Sequence, residues 1–146
     1  MACVTYSFPC GVRGYHEYKS RWVPVLHEVL PVKHESGNSH DMYTIAVMKR
    51  LPGTLVASVI GHLPREISRF TYFIIVHGAK VSCKIMDVHH RRSPLVQGGL
   101  EIPCEVIVEM EMTNKKLLLL TVINSLYLIN IKSQWKESFQ MQLNKY

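Results

Sequence analysis

The sequence lacks the cysteine patterns of disulfide-rich secreted domains and of zinc modules. Its 146 residues include only four cysteines, at positions 3, 10, 83 and 104, and no pair has the close spacing of a zinc knuckle. Eight histidines are present, but none form the His-x-x-x-His or His-Glu-x-x-His pattern that puts two metal ligands on one helix face. We therefore expect no metal, no other cofactor and a reducing compartment.

Long hydrophobic runs are also missing. The longest apolar stretch, LLLLTVINSLYLINI at 117–131, carries two asparagines, and it is shorter than the roughly 20 residues that a membrane-spanning helix needs. The first residues, MACVTYSFPCGVRGYHEYK, contain no cationic start followed by a long apolar run, so we predict no signal peptide. The composition indicates a globular, intracellular protein without membrane contact.

The positive charge is concentrated near the C-terminus. Residues 1–114 hold 12 Lys/Arg and 10 Asp/Glu, whereas residues 115–146 hold 5 Lys/Arg and 1 acidic residue, within a formal net charge of +6. The larger part therefore lacks the broad basic field of a highly charged nucleic-acid domain. Any nucleic-acid site there must be local and must consist of a few cations and aromatic side chains.

Motifs for catalysis are absent from the sequence. It contains no Gly-x-Ser-x-Gly, no catalytic-cysteine context and no phosphate-binding loop that ends in Gly-Lys-Ser/Thr. The alternation in EIPCEVIVEMEM (101–112) predicts a half-buried strand with its glutamates, Glu101 included, on the exposed face. Because no carboxylates are paired as in a metal site, we predict that the protein is not an enzyme; a nuclease is the least favoured alternative.

The residues that are present favour a mainly β chain. YTIAVMK and TLVASVIGHL predict a hairpin around Pro52-Gly53. Pro64 and Glu66 suit the first turn of a helix that ends at Gly78. Pro24 and Pro31 restrict 21–34 to short edge strands, and 12–19 is predicted as a strand end or loop. The hairpin strands are thus predicted at 43–49 and 54–63, and two further strands at 80–88 and 101–112. With one or two helices, these strands predict a small barrel or curled sheet.

Two polar clusters flank the predicted hairpin. Asn38, His40 and Asp41 precede its first strand, and Gly61-His62-x-x-Arg65 follows its second. Together with Arg13 and Tyr15 they offer cations for phosphates, an aromatic face for a base and a carboxylate for a hydroxyl group. Gly61 could let a nucleic-acid strand approach the backbone closely. The alternative interpretation is local, with Asp41 in an Asx turn and His62 as a turn residue.

Three stretches in this order resemble a HIRAN domain, the module at the N-terminus of helicase-like transcription factors of the SWI2/SNF2 class that also occurs as a stand-alone protein. They are GVRGY (11–15), VKHESGNSHDMYTIAVM (32–48) and VIGHLPREIS (59–68). The resemblance covers about residues 11–110. It implies a small OB-like β-barrel with helices, an α+β fold, over residues 1–112, and it leaves 113–146 as a C-terminal extension without a counterpart. The apolar pattern of KKLLLLTVINSLYLINIK (115–132) fits either two strands or one helix.

The resemblance also implies a function, namely non-catalytic binding of single-stranded DNA at its 3′-hydroxyl end. Carried over by position, Arg13 and Tyr15 contact the DNA backbone and a base, Asp41 accepts the hydrogen bond of the 3′-hydroxyl, and His62 and Arg65 lie against phosphate. The implied partners are DNA ends and a larger helicase or repair assembly in the nucleus.

The sequence departs from the family pattern in the first two stretches. His40 stands where the family has a stacking tyrosine, and Tyr43-Thr44-Ile45 replaces Asn-Ala-Ile. The alternative function is therefore kept: a protein-interaction module that uses a β-edge or the apolar C-terminal segment and binds no nucleic acid.

Overall fold

The computed structural model describes residues 3–14, 22–93, 99–111 and 113. These residues form a mainly β structure with one helix, which confirms the predicted fold class. The elements in chain order are β1 (Cys3–Arg13), β2 (Val29–His34), β3 (Ile45–Arg50), β4 (Ala57–His62), α1 (Arg65–Val76), β5 (Lys80–Ile85), β6 (Arg91–Arg92) and β7 (Leu100–Glu111).

The strands form one antiparallel sheet that returns on itself. Their order is β1-β4-β3-β2-β5-β7-β6, and β1 also pairs with β7, so six of the strands follow a closed circuit. The longest ladder joins β1 to β7, from Cys3 opposite Glu111 to Arg13 opposite Glu101. In contrast, β1 and β4 meet at a single residue pair, Arg13 and His62. The expected barrel is therefore a curled sheet that this one pair closes.

Gly61 allows β4 to reach β1 at this point. A Cβ atom on Gly61 would lie 2.5 Å from Val12 Cγ1 and 2.7 Å from the carbonyl oxygen of Arg13. Real side chains do not tolerate such distances, so only glycine fits unless the β1 backbone moves. Within the protein, the close approach at Gly61 is thus made by β1; the predicted approach of a nucleic-acid strand stays a prediction.

Helix α1 begins and ends where its sequence predicts. Pro64 occupies the N-cap position, and Gly78, with a φ of 92°, lies just past the last turn. The buried face of the helix contains Ile67, Phe70 and Ile74, which join the core inside the sheet. Two small polar residues share that face, and Thr71 satisfies its hydroxyl group by donating to the carbonyl oxygen of Ile67 at 3.0 Å.

Strand β2 corrects the prediction of short edge strands in 21–34. It lies inside the sheet, with β5 on one side through Val29–Pro31 and β3 on the other through Val32–His34. Pro31 is tolerated because the pairing changes from one neighbour to the other next to it, so its missing N–H interrupts no continuous ladder. The predicted hairpin and the strands at 80–88 and 101–112 correspond to β3, β4, β5 and β7.

Strand β1 ends at Arg13, within the predicted strand end or loop at 12–19, but its residues before position 12 were not predicted as a strand. Its buried residues alternate along the strand, as half-buried strands require. Pro9 and Gly11 obscured this pattern in the sequence. Pro9 fits because, within the described residues, β1 pairs on its second side only at Arg13. The alternating core residues are Val4, Tyr6, Phe8, Cys10 and Val12.

Several sequence-based predictions concern residues that lie partly or wholly outside the described ranges. None of the described helices is long and apolar enough to span a bilayer, and the apolar stretch at 117–131 lies outside those ranges. The division of the chain after residue 112 therefore stays a prediction. The four cysteines are free thiols, and Cys3 alone among them is exposed.

The contact at Gly61 yields a stability prediction. Gly61→Ala should lower the free energy of unfolding by about 1–3 kcal/mol, because the added methyl group overpacks against β1. Gly99→Ala is the matched control, since a Cβ there meets nothing within 4 Å. Urea unfolding of both variants measures the difference, and equal stabilities would show that β4 does not need a glycine to approach β1.

Candidate nucleic-acid interface

A chain of backbone and side-chain contacts connects the predicted site residues at one end of the sheet. Arg13 lies opposite His62 in the β1–β4 pair. His62 Nε2 lies 2.9 Å from Glu35 Oε2, and the Glu35 N–H donates to the carbonyl oxygen of Thr44 at 2.9 Å. The Thr44 hydroxyl then donates to the carbonyl oxygen of Asp41 at 2.8 Å. Residues from β1, β4 and the β2–β3 loop thus share one connected region.

The β2–β3 loop positions Asp41 through local hydrogen bonds. Asn38 Oδ1 accepts the N–H groups of His40 at 2.9 Å and Asp41 at 3.2 Å. Asp41 Oδ1 accepts the Tyr43 N–H at 3.0 Å, which is the Asx turn of the local interpretation. Asp41 Oδ2 has no hydrogen-bond partner among the described residues. The turn therefore fixes the carboxylate and leaves one oxygen able to accept a hydrogen bond.

The N-terminus of α1 presents unsatisfied donors beside an exposed cation. Pro64 supplies no side-chain cap, and the N–H groups of Arg65 and Glu66 have no acceptor in the described ranges. Arg65 is exposed and makes no ion pair with another described residue. Free N–H groups and the positive end of the helix dipole favour anions. This helix end can therefore hold a phosphate.

Arg13 is more enclosed than Arg65, because acidic and polar groups surround its guanidinium. Its Nη1 lies 3.4 Å from Glu66 Oε2, its Nη2 donates to Ser93 Oγ at 3.1 Å, and its Nε lies 3.9 Å from Glu101 Oε2. The side chain is 19% exposed. Arg13 thus ties β1 to α1 and to β7, and two carboxylates balance its charge.

Glu101 is the residue whose placement differs most from the prediction. It was expected on the exposed face of its strand, but it is only 1% exposed. The carboxylate occupies space left by Gly11, where a Cβ would lie 2.1 Å from Glu101 Cδ. Arg91 Nε lies 3.4 Å from Oε1. Burial raises the pKa of Glu101, although Arg91 and Arg13 act in the opposite direction.

The remaining predicted site residues are placed as follows. His62 is half-buried in β4, and His40 is exposed in the β2–β3 loop. Tyr15 lies outside the described residues. The structure thus brings Arg13, Asp41, His62 and the start of α1 to one sheet end, and the assignment of these residues to a ligand stays a prediction. No group of three metal-binding side chains occurs in the part of the chain that the structure describes.

The pKa of Glu101 predicts how stability depends on pH. The pKa is higher in the folded than in the unfolded protein, so the stabilisation from this group is full below the unfolded value, about 4.3, and is lost as pH rises through the folded value. Relative to Glu101→Gln, the wild type should therefore lose stability between pH 4 and pH 7. Chemical unfolding of both proteins across this range tests the sign; a relative gain with rising pH would mean that the two arginines outweigh burial.

Comparison with known proteins identifies the fold. No family model and no curated protein matches the sequence. The HIRAN domain of human HLTF is similar in structure, with a TM-score of 0.64 and 15% identity over 90% of this chain and 97% of that chain. A protein from Lactobacillus plantarum matches with a TM-score of 0.46 and 15% identity over 73% of this chain and 98% of that chain. The similarity to the human HLTF domain shows that the chain has the fold of a HIRAN domain.

Proposed function

We propose that this protein is a non-catalytic module that binds single-stranded DNA at its 3′-hydroxyl end. The observation that carries the proposal is the placement of Asp41. Its carboxylate has one oxygen fixed by the loop and one without a partner among the described residues. The same sheet end contains His62 and leads into the uncapped start of α1 with Arg65. The HIRAN-like fold and the resemblance of the motifs support this function.

Asp41 distinguishes two chemically similar ends. Its free oxygen accepts a hydrogen bond from a terminal hydroxyl, whereas its negative charge repels a terminal phosphate. Arg65 and the free N–H groups of the first turn of α1 bind an internal phosphate of the same strand. Selectivity for the end and affinity for the strand thus come from different residues.

The other site residues complete the proposed interface. His62 lies against phosphate, and its contact with Glu35 fixes the imidazole. Arg13 contacts the DNA backbone, in addition to its contacts with Glu66 and Ser93. Tyr15 and His40 are the proposed stacking partners of a base. From the resemblance we further propose a larger helicase or repair assembly as partner and the nucleus as location.

A second candidate function, binding of another protein, rests on exposed apolar side chains. Four of them lie in the segment before β2 and at its first residue, and they are 52–73% exposed: Val23, Val25, Leu26 and Val29. Exposed apolar side chains that cluster in this way are typical of interaction sites. Concentration-dependent self-association without any oligonucleotide binding would favour this function over the first.

The proposed role of Asp41 predicts a preference between DNA ends. Wild-type protein should bind a 3′-hydroxyl oligonucleotide more tightly than the same strand with a 3′-phosphate. Asp41→Asn keeps an oxygen for the Tyr43 N–H but removes the charge, so this preference should shrink while the fold persists. Fluorescence anisotropy with the two labelled strands measures it, and equal affinity of the wild type for both would refute end recognition.

The proposed role of Arg65 predicts a loss that does not depend on the end. Arg65→Ala should weaken the binding of both oligonucleotides equally. It should also reduce the magnitude of the slope of log K against log salt concentration by about 0.7, because one phosphate contact is removed. Arg50→Ala is the matched control, since Arg50 is exposed at the far end of β3. An unchanged salt slope in Arg65→Ala would show that Arg65 makes no phosphate contact.

A further inference from the structure

Four aromatic side chains form a surface cluster between the β2–β3 loop and α1. Tyr43 lies next to Tyr72 and Phe73, with ring centroids 5.2 and 5.9 Å away. His34 extends the cluster, with its ring centroid 4.6 Å from that of Tyr72. All four side chains are partly exposed. We call His34, Tyr43, Tyr72 and Phe73 the aromatic patch.

A cation covers part of the aromatic patch. Arg69 is exposed, and its Cζ lies 5.2 Å from the Tyr43 ring centroid and 5.9 Å from that of Phe73. No carboxylate lies within ion-pair distance of Arg69 in the described ranges. An arginine that stacks on aromatic rings keeps N–H donors free at the edge of its plane. Arg69 therefore offers a charge for a phosphate next to π-faces for a base.

Packing alone accounts for only part of this arrangement. Tyr72 packs against the main core and anchors the patch. Tyr43 and Phe73 instead contact each other and Arg69 at the surface and stay partly exposed, and half-exposed aromatic side chains are typical of binding sites.

The position of the aromatic patch relates it to the proposed DNA end. The N–H of Tyr43 donates to the Asp41 carboxylate, so the ring starts two residues from the group assigned to the 3′-hydroxyl. Arg69 follows Arg65 by one helical turn, which separates them by about 6 Å along α1. Both arginines are exposed, so they can contact successive parts of one DNA backbone.

We propose that the aromatic patch, with Arg69, is a stacking site for an unpaired base near the 3′ end of the bound strand. This inference rests on the proposed function and deepens it. His40, at the position of the family's stacking tyrosine, offers a smaller ring for a base, and the aromatic patch supplies the additional aromatic surface. Because every base has a π-face, the site accepts any sequence, and its ligand class is single-stranded DNA in general.

The test combines protein variants that lack one aromatic ring with oligonucleotides that lack one base, and it measures the affinity of each combination. Phe73→Leu and Tyr43→Leu are measured with a 3′-hydroxyl oligonucleotide and with strands that carry an abasic residue at each of the last three positions in turn. For one position, we expect the abasic change to weaken wild-type binding about tenfold, the effect of one lost stacked base, and to have little further effect in the leucine variants. Tyr43→Phe should retain wild-type behaviour because it keeps the ring.

Controls separate folding from binding. Val76→Ala, on the exposed part of α1, should leave affinity unchanged. Phe73→Leu changes no loop residue, so it tests the proposal even if Tyr43→Leu loosens the loop, and thermal unfolding reports either defect.

The outcomes distinguish this inference from the function on which it rests. If the wild type prefers a 3′-hydroxyl but ring and base removal weaken binding additively at every position, the stacking site is refuted and end recognition stands. If the wild type shows no preference for the 3′-hydroxyl or does not bind, the proposed function fails as well.

Discussion

The contact between Gly61 and β1 is the constraint on which the arrangement of the site depends. It allows the single pair of Arg13 and His62 to close the circuit of strands. The same contact places the end of β4, and with it the start of α1, beside the end of β1. A side chain at position 61 would separate these elements. Closure of the sheet and assembly of the candidate site are therefore one structural event.

Much of the local structure was predictable from the sequence because it depends on neighbouring residues. The Pro52-Gly53 hairpin and helix α1 follow from turn chemistry and from helical spacing between Pro64 and Gly78. Strand β1 and the inner position of β2 were not predicted, because they depend on pairing with distant strands. Pro31 suggested an edge strand, and both Pro9 and Pro31 lie where the sheet requires no N–H donor.

In the candidate site, too, the residues in local motifs were predictable from the sequence, and those placed by long-range pairing were not. The sequence indicated Asp41, His62 and Arg65 through local motifs, and it could not show that Glu101 turns inward. Only the register of β7 against β1 reveals that Gly11 leaves space for this carboxylate. The aromatic patch was also missed, because Tyr43 lies on a loop and Phe73 on a helix.

The cations near the candidate site differ in their partners. Carboxylates accompany Arg13, His62 and Arg91, whereas Arg65 and Arg69 have none among the described residues. Of the cations at the candidate site and the aromatic patch, these two arginines are therefore the ones available to an external anion.

The ladder between β1 and β7 has a consequence for biosynthesis. It joins Cys3 to Glu111 and Arg13 to Glu101, so β1 leaves the ribosome long before its partner strand exists. During that interval the apolar face of β1 has no sheet to cover it, and contacts between such distant segments form slowly. Arg13 and the sheet end around it take their final positions only when β7 arrives. A partly synthesised chain thus exposes the apolar face of β1 and lacks the sheet end on which the candidate site lies.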